Sequence, residues 1–307
     1  MAVPQIPTKC TERICENISS ILGCDRNVKR EKSSPRFPIA LTVAGSDSGG
    51  GSGVQADLKT FAALNVHGVT ALTCITAQNP RRVLGISPCS PSVVCDQLTA
   101  VFEELAPAAA KTGMLYSAAI IRAVAEFLRG RRIQVVVDPV MVSSSGARLL
   151  ASAAITTLCR ELLPIATLIT PNLHEAEVLL GKNLGSIDDL RRAAKELRGR
   201  FGPAVLVKGG HLKGFNQAVD ILYDGKMELL LSAPFVRGIR THGTGCTYSA
   251  AITACLAKGH SLAESVTIGK EFVTQAIARS LQVRSHNVLN YLWNRASRTA
   301  HRDCTRK

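Results

Sequence analysis

The sequence predicts an α/β fold: a mainly parallel sheet covered by helices on both faces, with an antiparallel edge. Three observations lead there. From Pro38 onward, short apolar runs alternate with amphipathic stretches of ten to fifteen residues, the pattern of successive βαβ units. Apolar residues make up 46% of the chain and aromatic ones only 4%, a mix that suits helices on a parallel sheet better than a β-sandwich. Asp224-Gly225 joins two strand-like runs, AVDILYDG and KMELLLSAP, and Asp-Gly between such runs is a hairpin signal.

The elements follow in order. NVKREKSSPRFP, from Asn27 to Pro38, is charged and aperiodic and reads as a linker. Residues 1–35 are therefore expected as a disordered or weakly ordered basic extension. PIALTVAG from Pro38, VTALTCITA from Val69, IQVVVDPV from Ile133, IATLIT from Ile165 and AVLVKGG from Ala204 read as strands. Helices are expected over 53–65, 91–105, 117–130, 174–181 and 186–200, and after the hairpin near 244–258 and 261–281. One α/β domain over 36–283 results, followed by a basic tail at 284–307 that frays or packs peripherally.

Composition narrows the function classes. The formal charge is +14, of which residues 1–37 contribute +3 and residues 284–307 contribute +5. The moderately basic remainder suits a small polyanionic ligand. No basic helix interleaved with aromatics, zinc-finger spacing or RNA-binding aromatic motif occurs, so nucleic acid is not expected. The ten cysteines include no C-x-x-C pair, which argues against a zinc or thioredoxin-like site and for a reducing, cytoplasmic setting. No apolar stretch reaches about eighteen residues, so no membrane span is expected. Glu12, Glu16, Asp25 and Glu31 interrupt the basic residues of the N-terminus, which makes a poor transit peptide, although organellar targeting stays open.

Five segments carry chemistry. AGSDSGGGSGVQADLKT, residues 44–60, leaves a strand, crosses five glycines in nine positions and enters a helix. Such a loop lets backbone approach a ligand closely at the carboxyl end of a strand, yet it matches neither a P-loop nor a Rossmann fingerprint. In RTHGTGCTYSAAITACLAKG, Gly243, Thr244, Gly245 and Cys246 stand where a helix begins. Free N–H groups there suit a phosphoryl group; the plainer reading makes Thr244 an N-cap. In TPNLHEAE, Asn172 and Glu175 have capping-box spacing, and Glu175 is also placed near a hydrated magnesium ion. Asp138 ends the most apolar strand, ahead of the Ser-rich loop VSSSG; a carboxylate there suits Mg2+ and the loop suits a lid. Lys208 in VKGGH ends another strand and suits a phosphate.

Together with AQN at 77–79 and KTGML at 111–115, these segments resemble hydroxymethylpyrimidine/phosphomethylpyrimidine kinases of the ribokinase superfamily, over roughly residues 38–283. The resemblance implies a three-layer α/β/α sandwich, ATP as phosphoryl donor and Mg2+. It implies an aminopyrimidine alcohol and its phosphate as small-molecule partners; the sequence itself leaves the assembly open, a homodimer included. Gln78 would hydrogen-bond the pyrimidine, Gly45 would lie beneath it and Met114 would line the pocket. Gly243, Thr244 and Gly245 would form an anion hole with Cys246 beside the reacting hydroxyl. Lys208, Asn172 and Glu175 would address the nucleotide, and Asp138 and Glu175 the metal. Ser52 stands where relatives are expected to carry Ala. Cys246 is left as either a base or a hydrogen-bonding group. Two other functions remain to be separated: pyridoxal or pyridoxine phosphorylation, and non-catalytic binding of a pyrimidine or vitamin.

Overall fold

The computed structural model describes residues 37–141, 150–210, 212, 216–236 and 242–293. The expected N-terminal extension, the Ser-rich segment 142–149, His211 and the end of the basic tail lie outside the described residues.

Nine strands form one sheet in the order β3-β2-β1-β4-β5-β6-β7-β8-β9. They are β1 (Ile39–Asp47), β2 (His67–Asn79), β3 (Arg82–Pro88), β4 (Ala109–Thr112), β5 (Gln134–Val137), β6 (Leu168–Ile169), β7 (Ala204–Lys208), β8 (Gln217–Tyr223) and β9 (Glu228–Pro234). From β2 to β7 every neighbouring pair is parallel. β8 and β9 then add antiparallel strands around the Asp224-Gly225 turn, as the dipeptide predicted.

Helices cover both faces. α1 (Gly53–Ala63), α7 (Thr244–Ala257) and α8 (Leu262–Ala278) pack on one; α2 (Pro91–Glu104), α3 (Ala118–Leu128), α4 (Ser152–Thr157), α5 (Leu173–Leu180) and α6 (Ile187–Phe201) pack on the other. Strand pleating explains the division. Val135 and Val137 of β5 enter the core under α2–α6, whereas Val136 between them joins the core under α7 and α8. This is the three-layer sandwich.

The structure adds elements absent from the sequence reading. β3 gives the sheet an antiparallel strand at its other edge too, where only one such edge was expected. Its turn is made by Asn79, whose Oδ1 accepts from the backbone of Arg81 and Arg82 at 2.9 and 3.1 Å; the Asn-Pro pair there was an overlooked turn signal. β4, only four residues long, was hidden by the lysine in Ala-Ala-Lys-Thr. Past Val283, β10 (Leu281–Val283) turns back into β11 (His286–Val288). Leu289 is buried, and Tyr291 and Trp293 pack against Ala63, Ala251 and Phe272. Packing thus extends ten residues beyond the expected boundary at 283. Among the described residues no helix is long and apolar enough to cross a membrane, and the six cysteines are unpaired.

Candidate active site

Because β1, β2, β4, β5, β6 and β7 run parallel, their carboxyl ends open on a single edge of the sheet. In open α/β sheets that edge is where ligands sit. Nearly all of the expected site residues follow one of these ends or begin a helix there.

Asp47 organises the glycine loop after β1. Its Oδ1 accepts from the Gly49 amide at 2.8 Å, and its Oδ2 accepts from the amides of Gly51 and Ser52 and from Ser52 Oγ at 3.1, 2.8 and 2.9 Å. Ser52, the residue that departs from the expected Ala, therefore helps to fix the loop. The loop meets the start of α7 directly. Gly243 has φ +82°, and a β-carbon on it would lie 1.8 Å from the Gly51 carbonyl oxygen. Gly243, not Thr244, is the N-cap, and no side chain caps the helix. The first-turn amides of Thr244, Gly245 and Cys246 thus face the site with the positive end of the helix dipole.

Beside this helix start lies a charged cluster. Lys208 Nζ donates to Asp138 Oδ1 at 2.9 Å. Thr170 Oγ1 donates to the same oxygen and Ser249 Oγ to Asp138 Oδ2, both at 3.2 Å. A β-carbon on Gly245 would lie 3.5 Å from Lys208 Nζ and 3.8 Å from Asp138 Oδ2, which brings the helix start, the lysine and the carboxylate together. Burial works to raise Asp138, but Lys208 and then Lys111 more than offset it, and the carboxyl ends below its ordinary range.

Glu175 fills the capping role weighed from sequence. The capping box is complete: Asn172 Oδ1 accepts from the Glu175 amide at 2.9 Å and Glu175 Oε2 accepts from the Asn172 amide at 2.8 Å. Asn172 also bridges to Lys208, so the cap sets the end of β7. Burial drives the Glu175 carboxyl up to about 7; Lys208 opposes this and Asp138 adds to it. Among the described residues no group of three or more His, Cys, Asp or Glu side chains is arranged to hold a metal ion.

The residues expected on the substrate side come from β1, β2 and the turn after β4. A β-carbon on Gly45 would lie 2.7 Å from Cys74 Sγ and 3.9 Å from Met114 Sδ, so Gly45, Cys74 and Met114 form one small patch. Gln78 Nε2 lies 2.8 Å from His242 Nε2. Beneath the patch and the helix start, the fully buried Lys111 donates to Asp57 Oδ1 at 2.8 Å, and Thr42 Oγ1 donates to Asp57 Oδ2 at 2.6 Å. Asp57 holds the Lys111 ammonium above its ordinary range despite burial. Cys246 keeps some exposed surface, yet the protein around its sulfur excludes water and pushes the thiol up to about 11. Lys111 and the Gly53 amide act in the opposite direction, and Asp57 and Asp138 reinforce the rise.

Sequence reasoning did not single out Asp47, Asp57, Lys111 or His242. A signal existed for one: a lysine inside an apolar strand, as in Ala109–Thr112, has to find a buried counter-charge.

The model of the phosphomethylpyrimidine kinase family matches residues 47–290. The chain belongs to this family. It is similar to the hydroxymethylpyrimidine/phosphomethylpyrimidine kinase of Bacillus subtilis (strain 168), 43% identical over 254 residues that cover 82% of this chain and 94% of that protein. Among solved structures it is similar to an ADP complex of Bacillus subtilis pyridoxal kinase, with 39% identity, a TM-score of 0.78, and coverage of 84% of this chain and 99% of that one. It is also similar to phosphomethylpyrimidine kinase from Clostridium difficile 630, with 41% identity, a TM-score of 0.69, and coverage of 78% and 99%. As a phosphomethylpyrimidine kinase family member the chain is a phosphotransferase, with a nucleotide as donor and a small molecule as acceptor. The family match spans every site residue above except Gly45, Thr42 and, by its start, β1.

Proposed function

We propose that this chain uses ATP to phosphorylate the hydroxymethyl group of 4-amino-5-hydroxymethyl-2-methylpyrimidine, and then the monophosphate so formed, in thiamine biosynthesis. The observation that supports this most is the junction of Gly51 with Gly243, which joins the glycine loop to a helix start that has Lys208 and Asp138 beside it.

In this reading the amides of Thr244, Gly245 and Cys246, with Lys208, receive the phosphoryl group in transfer, and Asn172 positions Lys208. Catalysis of this kind rests on alignment and charge stabilisation. Cys246, pushed up to about 11 by burial, is a neutral thiol at physiological pH. It belongs to the anion hole as a hydrogen-bonding group rather than acting as the base. The second step fits the same site, because a phosphate monoester with a second pKa near 6 is already largely dianionic and needs no base.

Asp138 and Glu175 fit a magnesium ion held mainly by phosphates and water. They are two buried carboxylates beside Lys208, too few for an all-protein cage and of the hard-oxygen type that Mg2+ prefers. When bound, Mg2+ would neutralise phosphate charge there. The six cysteines among the described residues, all unpaired, suit a reducing, cytoplasmic setting.

One experiment tests the assignment: ADP release with Mg2+-ATP and, separately, hydroxymethylpyrimidine, its monophosphate and pyridoxal. Turnover of both pyrimidines, with pyridoxal much slower, is the expected result. Pyridoxal is the second reading, favoured by the similarity to a protein described as a pyridoxal kinase; turnover of pyridoxal alone would replace the substrate and keep the site. Silence on all three would overturn the proposal.

A further inference from the structure

The amide that reads the ring in the proposal above is already engaged by a second side chain. Gln78 Nε2 and His242 Nε2 are 2.8 Å apart. An amide NH2 group only donates, so His242 accepts through an unprotonated Nε2 in this arrangement. At the other end, Thr76 Oγ1 has one proton for two acceptors, Gln78 Oε1 at 3.2 Å and the Ser46 carbonyl at 2.8 Å. It can donate to Oε1 or, donating to Ser46, accept from an amide NH2, so it serves either orientation of the amide.

Turning the amide end for end would put Oε1 against His242 and NH2 against Thr76 Oγ1. That alternative needs a proton on His242 Nε2. The tautomer of one histidine therefore selects which end of the Gln78 amide is which. The histidine is itself held by the glycine loop. A β-carbon on Gly51 would lie 3.3 Å from His242 Cδ2, so the ring packs on the loop; Asp47 Oδ2, 3.6 Å from Nε2, is beyond hydrogen-bond reach and already accepts from Gly51 and Ser52.

The polarity of the amide matters because an aminopyrimidine edge pairs an exocyclic N–H donor with a neighbouring ring-nitrogen acceptor. With one Gln78 N–H on His242, the second N–H remains for the ring nitrogen and Oε1 for the amine. A reversed amide would meet the same edge donor to donor and acceptor to acceptor, and unpaired buried polar groups are where specificity of this kind arises.

We propose that His242 is a positioning residue that fixes the hydrogen-bonding polarity of Gln78 and thereby sets preference for an aminopyrimidine over a ring without the amino group. This inference rests on the reading that Gln78 contacts the substrate ring.

The test is steady-state kinetics of the full chain with Mg2+-ATP and either hydroxymethylpyrimidine or pyridoxal, on four variants: His242→Phe, His242→Gln, Gln78→Ala and the double variant His242→Phe/Gln78→Ala. His242→Phe removes the acceptor and is expected to raise the hydroxymethylpyrimidine KM about tenfold, the scale of one hydrogen bond. The kcat and the KM for ATP stay within about twofold, and the preference over pyridoxal narrows. His242→Gln, which returns an acceptor at similar reach, recovers most of the loss and guards against misfolding of the Phe variant. The double variant is no worse than Gln78→Ala, because the two residues act as a unit. Losses that multiply in the double variant, or an equal fall in kcat for both acceptors, would overturn the role of His242 while leaving Gln78 in the site. An unchanged pyrimidine KM in Gln78→Ala would instead overturn the ring-reading assignment, and the inference with it.

Discussion

Gly243 and Gly51 approach so closely that a β-carbon on Gly243 would stand 1.8 Å from the Gly51 carbonyl oxygen. Gly243 also has φ +82°, which penalises any other residue. Gly243→Ala must therefore part the glycine loop from the start of α7. We expect kcat/KM to fall at least about 100-fold, the scale on which an ångström of misplacement acts. Gly181→Ala is the control: its φ is +71°, but nothing lies within 4 Å of the new carbon. It should lose about 1 kcal/mol of stability and keep its activity. Equal activities for the two variants would remove this junction from the mechanism.

Most of the sheet was legible because parallel strands buried on both faces read as continuous apolar runs, as in Val135–Val137, and because Asp224-Gly225 demands a turn. The meeting of glycine loop and helix start was legible for a related reason: glycines and a helix start leave a mark in sequence order. What was not legible was contact between distant segments. Gln78 and His242 are 164 positions apart, and nothing in either local pattern pairs them. Lys111 and Asp57 were hidden differently. Each sits in an element whose neighbours suggest exposure or core, and only the fold shows that they bury each other's charge.

The Lys111–Asp57 pair should reveal itself through its dependence on both partners. Lys111→Met leaves the Asp57 carboxylate fully buried with Thr42 as its hydrogen-bond donor. Breaking a buried pair from one side costs about 3–5 kcal/mol. Lys111→Met/Asp57→Asn removes both charges and should regain most of that stability in denaturant unfolding. Activity should stay low in both, because the lysine charge near Cys246 and Asp138 is gone. A double variant as unstable as the single one would show that shape, not charge, governs the site.

Glu175 makes stability depend on pH in an unusual direction. Its folded-state value is about 7 against an ordinary 4.5, with burial as the main cause. Between those values the native state holds a proton that the unfolded chain has released, so the contribution is fully present below about 4.5 and is lost as pH rises through about 7. The loss is at most on the order of 3 kcal/mol. Glu175→Gln keeps an acceptor for the Asn172 amide and cannot titrate. The melting temperature of the unliganded wild type, measured relative to this variant, should fall between pH 5 and pH 8. A difference that stays constant over that range would place the titration elsewhere.

Cys246 offers the sharpest division between a base and a member of the anion hole. With its thiol pushed up to about 11, roughly one molecule in a thousand carries the thiolate at pH 8. Iodoacetamide should therefore modify Cys246 slowly, at a rate still climbing beyond pH 9.5, where an ordinary thiol near 8.5 has levelled off. Cys246→Ser keeps a hydrogen-bonding group and should retain most turnover with both acceptors. Cys246→Ala should lower the alcohol step and the phosphate step by similar factors, as loss of one hole member does. A base would give a different pattern, because the alcohol has a proton to lose and the phosphate dianion has none. A loss confined to the alcohol step, together with rapid alkylation at pH 7, would restore the thiolate as the catalytic base.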